Sequence, residues 1–482
     1  MAMLGKRRPS RRPGQRISAG AKRKDPAPDG AAISDAIKEE RAGDVDENGV
    51  DILRLAHDGR GIAKDDAGKT LFVDQALPGE RVRVAIHRSR KRFDEAHLRE
   101  LVTSSADRVS PPCSHYGQCG GCDLQHLALQ AQRRHKCDAL IDQLARQGVA
   151  LEVSPTLLAG EGFGYRRRAR LGVKVDAQGQ VHLGFRARGS RHLVDVAECS
   201  ILVPPLAALL NPLRQHLATL QAPRQVGHVE LLAGDDELAV VVRQLRANAD
   251  DAEGWRQWGD ANKVSVGLLQ GRGNPRLDWL GKTPRLRYTL SHTQQGSTRD
   301  LAPRPLELYF GPGDFLQVNA EVNREMVATA LEWLEPDKND QVLDLFAGVG
   351  NFSLALAPRV AKVTSVEGSL AMVERLRRNA RHNGLDNVDA RLGNLDQSPA
   401  LDSHPHSVVL DPPRSGAEAV CRTLAGSGIK RILYVSCDPA TLARDAGHLL
   451  QGGYRITRAA VADMFAQTAH LEAMLLFEGP SA

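Results

Sequence analysis

From residue 313 to the C-terminus, short apolar runs recur between stretches of helical periodicity. Val342-Leu343 with Leu345, Val360 to Val366, Val388-Asp-Ala-Arg, Val408-Val-Leu410, Ile432-Leu-Tyr-Val435 and the run ending at Phe477 have the look of strands buried on both faces. Between them, Ala320 to Leu334 reads as a helix with Asn319 as its N-cap, and Phe352 to Ala357 opens another. Asp438-Pro439 starts a third, as N-cap and first residue. Strands alternating with helices predict an α/β domain, Rossmann-like, over 313–482.

Upstream the rhythm changes. Over 46–104, Val50-Asp-Ile-Leu-Arg-Leu55, Thr70-Leu-Phe-Val73 and Arg81-Val-Arg-Val-Ala-Ile86 are split by Gly59-Arg-Gly61, Asp66-Ala-Gly68 and Pro78-Gly79-Glu80. Short alternating strands at this spacing predict a small OB-like β-barrel, with Arg88, Arg90, Lys91 and Arg92 in one loop. The middle region, 105–312, holds a helix over Gln130 to Ala145, then strands from Tyr165 to Val242. Residues 271–305, rich in Gly, Thr, Ser and Pro, read as loop-heavy. Period two puts Arg166, Arg168 and Arg170 on one face, a pattern that suits phosphate contacts and equally a solvated face. Residues 1–45 mix Lys and Arg with Pro, Gly and Ala; no core can be buried there, and disorder is expected.

Composition narrows the class. A chain of 482 residues calls for two or three domains, and a net charge of +6 suits a polyanionic partner. Seven unevenly spread cysteines do not make a secreted disulfide framework. No apolar run has the length of a membrane span, and the N-terminus has no signal-peptide core, so a soluble cytoplasmic protein without a membrane partner is expected.

The chemistry concentrates in a few stretches. Ala347-Gly348-Val349-Gly350 follows a strand and precedes a helix, the placing of a nucleotide-type loop. It lacks the Gly-Lys-Ser/Thr of a phosphate loop. Asp344 lies in the strand's end, and Glu367 closes the next strand, where a carboxylate can accept both hydroxyls of a ribose. Together these resemble the S-adenosylmethionine site of class I methyltransferases. Asp411-Pro-Pro-Arg414 stiffens the exit of another strand. Cys437, ahead of a helix, is expected to have its thiol pKa lowered by the helix dipole, against the alternative of an inert buried thiol. Cys113-x₅-Cys119-Gly-Gly-Cys122 can wrap a metal centre, with Cys199 the best candidate for a fourth ligand and Cys137 a structural thiol. Zinc and unrelated free thiols stay open at this point.

Taken together, Cys-x₅-Cys-Gly-Gly-Cys-x-Leu-Gln-His, Phe-x-Gln-Val-Asn at 315–319, Asp-Pro-Pro-Arg at 411–414, Ser-Cys-Asp-Pro at 436–439 and Asp-Met-Phe-x-Gln-Thr-x-His-x-Glu at 463–472 resemble the RNA 5-methyluridine methyltransferases, in particular their 23S rRNA branch. The 46–104 pattern resembles a TRAM domain. The resemblance implies a class I methyltransferase domain, an N-terminal TRAM barrel and a central iron–sulfur domain. It implies S-adenosyl-L-methionine at Gln317, Phe346, Asn351, Glu367, Asn394 and Asp411, and a [4Fe–4S] cluster on Cys113, Cys119, Cys122 and Cys199. Cys437 falls on the nucleophile and Glu472 on the general base. The implied substrate is one uridine of 23S rRNA, and the enzyme is expected to be a monomer. The basic tail departs from the family pattern. Another rRNA or tRNA uridine is the alternative target. A non-catalytic RNA-binding module would not need both Cys437 and Glu472, and an iron–sulfur oxidoreductase would want a dinucleotide or flavin fingerprint.

Overall fold

The predicted strand Gln341–Leu345 forms near the middle of an eight-stranded sheet, and the glycine turn sits at its carboxyl end. The computed structural model describes residues 49–290, 304–397 and 404–479. The tail expected to be disordered, 1–45, lies outside the described residues. The sheet order is Val388–Leu392, Lys362–Glu367, Gln341–Leu345, Ser407–Leu410, Arg431–Ser436, Glu472–Glu478, Arg455–Ala462 and Thr156–Leu158. The first five are mutually parallel, whereas Glu472–Glu478 runs antiparallel to both its neighbours. The order reverses between Gln341–Leu345 and Ser407–Leu410, the switch point at which open α/β sheets bind ligands.

Each face of this sheet carries its own core. Leu433, Val435, Met474 and Leu476 face helices Ala320–Leu334 and Leu370–His382. Ile432, Tyr434, Leu475 and Phe477 face Glu418–Ala425, Pro439–Gln451 and Leu129–Arg146. Burial of one such leucine contributes about 1.5–3 kcal/mol. Asn319 caps its helix as expected, accepting from the Val322 N–H at 3.3 Å. Helix Leu129–Arg146 and strand Thr156–Leu158 come from the middle of the sequence yet pack on this C-terminal sheet. Among the described residues, no helix is long and apolar enough to cross a membrane.

The rest of the middle region builds a seven-stranded sheet in the order Leu193–Asp195, Val181–Arg186, Arg168–Val175, Val226–Ala233, Leu238–Gln244, Ser265–Gln270 and Arg276–Trp279. The stretch expected to be loop-heavy contains two strands, Arg276–Trp279 and Arg287–Leu290. Gly271 to Pro275 and Gly281 to Pro284 link the strands, while Leu277, Trp279, Tyr288 and Leu290 alternate inward; 291–303 of that stretch lie outside the described residues. Of the three arginines proposed for phosphate contact, Arg168 is tied internally to Glu230 at 2.5 Å.

At the N-terminus, the expected closed barrel is not formed. Its six strands run Val50–Asp51, Arg81–Ser89, Phe93–Thr103, Thr70–Asp74, Gly61–Lys64 and Arg54–Leu55, and no ladder joins the two ends. The chain itself spans the gap: Ile52 N–H donates to the Glu80 carbonyl on one side and Leu53 N–H to the Ile62 carbonyl on the other, both at 2.8 Å. Two-residue end strands that follow one another in sequence switch partners here and leave too little strand for a closing ladder.

Gly184 shows how tightly the central sheet is fitted: a Cβ there would lie 1.9 Å from the Val194 carbonyl oxygen. The expectation is that Gly184→Ala lowers stability by about 2–3 kcal/mol. A urea-unfolding midpoint equal to wild type would contradict this packing.

Candidate active site

The turn after Gln341–Leu345 is built by backbone hydrogen bonds. Phe346 N–H donates to the Val366 carbonyl at 2.9 Å with Phe346 at φ +63°, and Gly348 and Gly350 follow at +56° and +102°. Only glycine takes the last two conformations without cost, which leaves the turn open above the sheet edge. Glu367 is fixed by it: one carboxylate oxygen accepts the Gly348 N–H at 3.0 Å, the other the Ser369 N–H at 2.9 Å. Each oxygen keeps a further lone pair for a ligand. Beside them Asp344 is 1% exposed. One of its oxygens accepts the Ser353 hydroxyl, and the other is buried with no hydrogen-bond partner among the described residues. Burial, with the Glu367 charge nearby, pushes the Asp344 carboxyl up to about 7. A buried carboxylate of this kind ionises when a cation arrives.

One parallel strand over from Gln341–Leu345, Asp411 leaves the sheet edge, and burial and Asp344 raise its pKa. Cys437 follows Arg431–Ser436 and Glu472 begins Glu472–Glu478. The two strands pair so that Ser436 lies opposite Ala473, bringing thiol and carboxyl to the same edge. Asp438 caps the helix after Cys437, accepting N–H groups of Ala440 and Thr441 at 3.0 and 3.1 Å. The expected lowering of the Cys437 pKa is not found. Burial first, then the charges of Glu472 and Asp411, push the thiol up to about 11, against the guanidinium of Arg414 beside it. The physical reason is burial first and two nearby acids second, while Asp438 already engages the helix's first donors. Glu472 is 3% exposed, and burial and Asp411 raise its pKa well above the ordinary range.

Arg414 was legible only as part of a motif; its place beside both Cys437 and Glu472 comes from the fold. Its loop is held by Asp445, fully buried, which accepts the Ala417 N–H at 2.7 Å and the Tyr434 hydroxyl at 2.6 Å. Asp445 was missed. An acid on the apolar side of a helix, between Leu442 and Leu449, was the available signal.

The remaining positions differ in kind. Phe346 lies in the turn itself, half-buried. Gln317 is buried in the segment before helix Ala320–Leu334. The Asn351 amide pairs reciprocally with Asn323 at 2.9 and 3.0 Å, and its oxygen accepts the Tyr288 hydroxyl at 3.1 Å. That side chain ties the first turn of its helix to neighbouring elements. Asn394 is exposed, its side-chain oxygen accepting the Asp396 N–H at 3.0 Å.

Cys113, Cys119, Cys122 and Cys199 are all half-buried free thiols, close enough that the other three each raise the pKa of Cys122. Burial is the larger cause, and the thiol reaches about 12. The loop is pinned: Gly120 N–H donates to the Arg186 carbonyl at 2.9 Å, and His115 Nε2 accepts the Ala197 N–H at 3.1 Å, joining it to the segment of Cys199. Among the described residues, three metal-type ligands with donor atoms all within 4.8 Å of one another occur at Asp74, His87 and His97, and no three of the four cysteines meet that spacing. Four thiols brought together from two segments are a donor set of the soft kind that zinc and iron–sulfur centres both use.

Comparison with known proteins agrees with this architecture. Residues 150–479 match the family model described as tRNA (Uracil-5-)-methyltransferase, and residues 46–98 match the TRAM domain. A Chromohalobacter salexigens protein named 23S rRNA (uracil(1939)-C(5))-methyltransferase RlmD is 54% identical over 481 residues, covering 99% of this chain and 95% of that protein. A Halomonas elongata protein of the same name is 51% identical, covering 100% of this chain and 97% of its own length. Among solved structures, the Pyrococcus abyssi tRNA (uracil-54, C5)-methyltransferase, in complex with S-adenosyl-L-homocysteine, superposes with a TM-score of 0.69 at 24% identity, over 88% of this chain and 99% of that one. Sheet order, glycine turn and matched residues lead to one assignment: the chain belongs to the tRNA (uracil-5-)-methyltransferase family.

Proposed function

We propose that this protein methylates C5 of a uridine in 23S rRNA, the position numbered 1939 in the names of its relatives, with S-adenosyl-L-methionine as donor. The observation that carries the chemistry is the Ser436–Ala473 pairing, which sets Cys437 beside Glu472 at the edge that holds the glycine turn. Uracil C5 is a poor nucleophile towards a methyl sulfonium. Cys437 as thiolate adds to C6, forming the S–C6 bond and moving the electron pair through C5 to the C4 oxygen. The donor, when bound, supplies the methyl that C5 then takes. Glu472 removes the C5 proton, and the returning electrons expel Cys437 and restore the C5–C6 double bond. Burial first, then the charge of Asp411, raises the Glu472 pKa, which makes its carboxylate a stronger base once ionised. Arg414 favours the thiolate that burial opposes.

Glu367 would hold the ribose hydroxyls of the donor, while Asp344 and Asp411 give its cationic end two buried carboxyls. Gln317, Phe346, Asn351 and Asn394 complete this reading, Asn351 by fixing the turn. Cys113, Cys119, Cys122 and Cys199 would hold a [4Fe–4S] cluster as a structural tie between two loops; no chemical step passes through it.

In this mechanism Cys437→Ala abolishes methylation and any covalent RNA complex, whereas Glu472→Gln adds, transfers the methyl and stalls, giving a protein–RNA band on a denaturing gel. A Glu472→Gln protein with normal turnover would overturn the assignment. Glu367→Ala should weaken S-adenosylmethionine binding about ten- to a hundredfold by calorimetry, the loss of one or two charge-assisted hydrogen bonds; an unchanged Kd counts against it. Protein purified without oxygen should be brown and contain iron and sulfide. Stoichiometric zinc without sulfide would sink the cluster.

A further inference from the structure

The loop Asp463–Leu471, which leads into Glu472, is gripped by residues that the chemistry above does not use. Asp463, 1% exposed, accepts Lys136 Nζ at 2.7 Å and Arg133 Nε at 3.1 Å. Lys136 also donates to the Phe465 carbonyl at 3.0 Å, and the Tyr165 hydroxyl to the Ala466 carbonyl at 2.8 Å. Gln467 is the centre of the grip. It is 3% exposed, and its φ of +67° is a conformation a non-glycine residue keeps only where its surroundings impose it.

Those surroundings are explicit. Gln132, 1% exposed, accepts the Gln467 N–H at 3.0 Å and donates to the Gln467 side-chain oxygen at 3.0 Å. The same Gln132 amide donates to the carbonyls of Leu124 at 3.0 Å and Leu127 at 2.7 Å. The Gln467 carbonyl in turn accepts the N–H groups of Asp123 and Leu124, both at 3.0 Å, and Asp123 directly follows Cys122. A closed set of buried hydrogen bonds therefore joins helix Leu129–Arg146, the cysteine loop and the segment five residues ahead of Glu472.

We propose that Gln132 and Gln467 are positioning residues for Glu472, and that through them the cysteine loop sets the geometry of the proton-removal step. This rests on Glu472 being the base. A base displaced by about 1 Å loses rate on the order of a hundredfold without losing ligands, because binding and chemistry draw on different contacts. Neither glutamine needs to touch RNA or donor for this.

The test compares the full-length wild-type chain with Gln132→Met, Gln467→Gly and Glu472→Gln, using a 23S rRNA fragment and S-adenosylmethionine. Gln467→Gly removes the paired side chain while glycine accepts the same backbone angle, so it keeps the test alive if Gln132→Met fails to fold. Both glutamine variants should lose about 10- to 100-fold in kcat, with KM for RNA and donor within about twofold of wild type, and both should accumulate the covalent protein–RNA band. Wild-type turnover, a change in KM alone, or a slowed reaction without that band overturns the proposal. Glu472→Gln separates the two layers. A band with Glu472→Gln but none with either glutamine variant removes the positioning role only, and no band with Glu472→Gln removes the base assignment and this inference with it.

Discussion

The antiparallel insertion of Glu472–Glu478 between Arg431–Ser436 and Arg455–Ala462 is the constraint on which the site depends. A ladder of this kind has period two, so a slip of one residue would send every side chain of Glu472–Glu478 to the opposite face. Both faces are buried by separate cores, with Met474 and Leu476 in one and Leu475 and Phe477 in the other. The register is thereby fixed by packing along the whole strand, and the placing of Glu472 near Cys437 follows from it. Catalytic geometry here is inherited from hydrophobic burial rather than from contacts between the reacting groups.

The same edge is electrostatically uncomfortable. Asp344, Asp411 and Glu472 all have raised pKa values, chiefly through burial and then through one another or Glu367, and the charges of Glu472 and Asp411 oppose ionisation of Cys437. Arg414 is the cation set against them. A cleft so arranged is poised for a ligand that brings positive charge, and in the proposed function the methyl donor does.

Much of this was legible in the sequence. Strand, glycine turn and helix, the ends of Arg431–Ser436, the Asp438 and Asn319 caps and the start of Glu472–Glu478 all follow from local pattern, because turns, caps and apolar runs are local physics. The thiol pKa of Cys437 was misjudged because a helix N-terminus is visible in sequence, whereas burial and two acids arriving from other strands are not. Closure of the N-terminal barrel failed for a related reason: alternation announces strands but not which ends meet. Gln132 and Gln467 lie 335 residues apart in sequence, and nothing near either one marks the pairing. Asp445 and Asp463 likewise looked like ordinary acids until the fold buried them.

In the proposed reaction, methyl transfer proceeds through a bond between Cys437 and C6, ended by loss of the C5 proton. It is tested most directly by offering the unaltered protein an RNA fragment with 5-fluorouridine at the target position, together with S-adenosylmethionine. After addition and methyl transfer, C5 would carry methyl and fluorine and no proton for Glu472 to take, so elimination cannot follow. A stable complex is expected, with the mass of protein plus RNA plus one methyl group in place of the thiol proton, and with the cross-link mapping to Cys437. Absence of a complex, or a cross-link on any other residue, would contradict it.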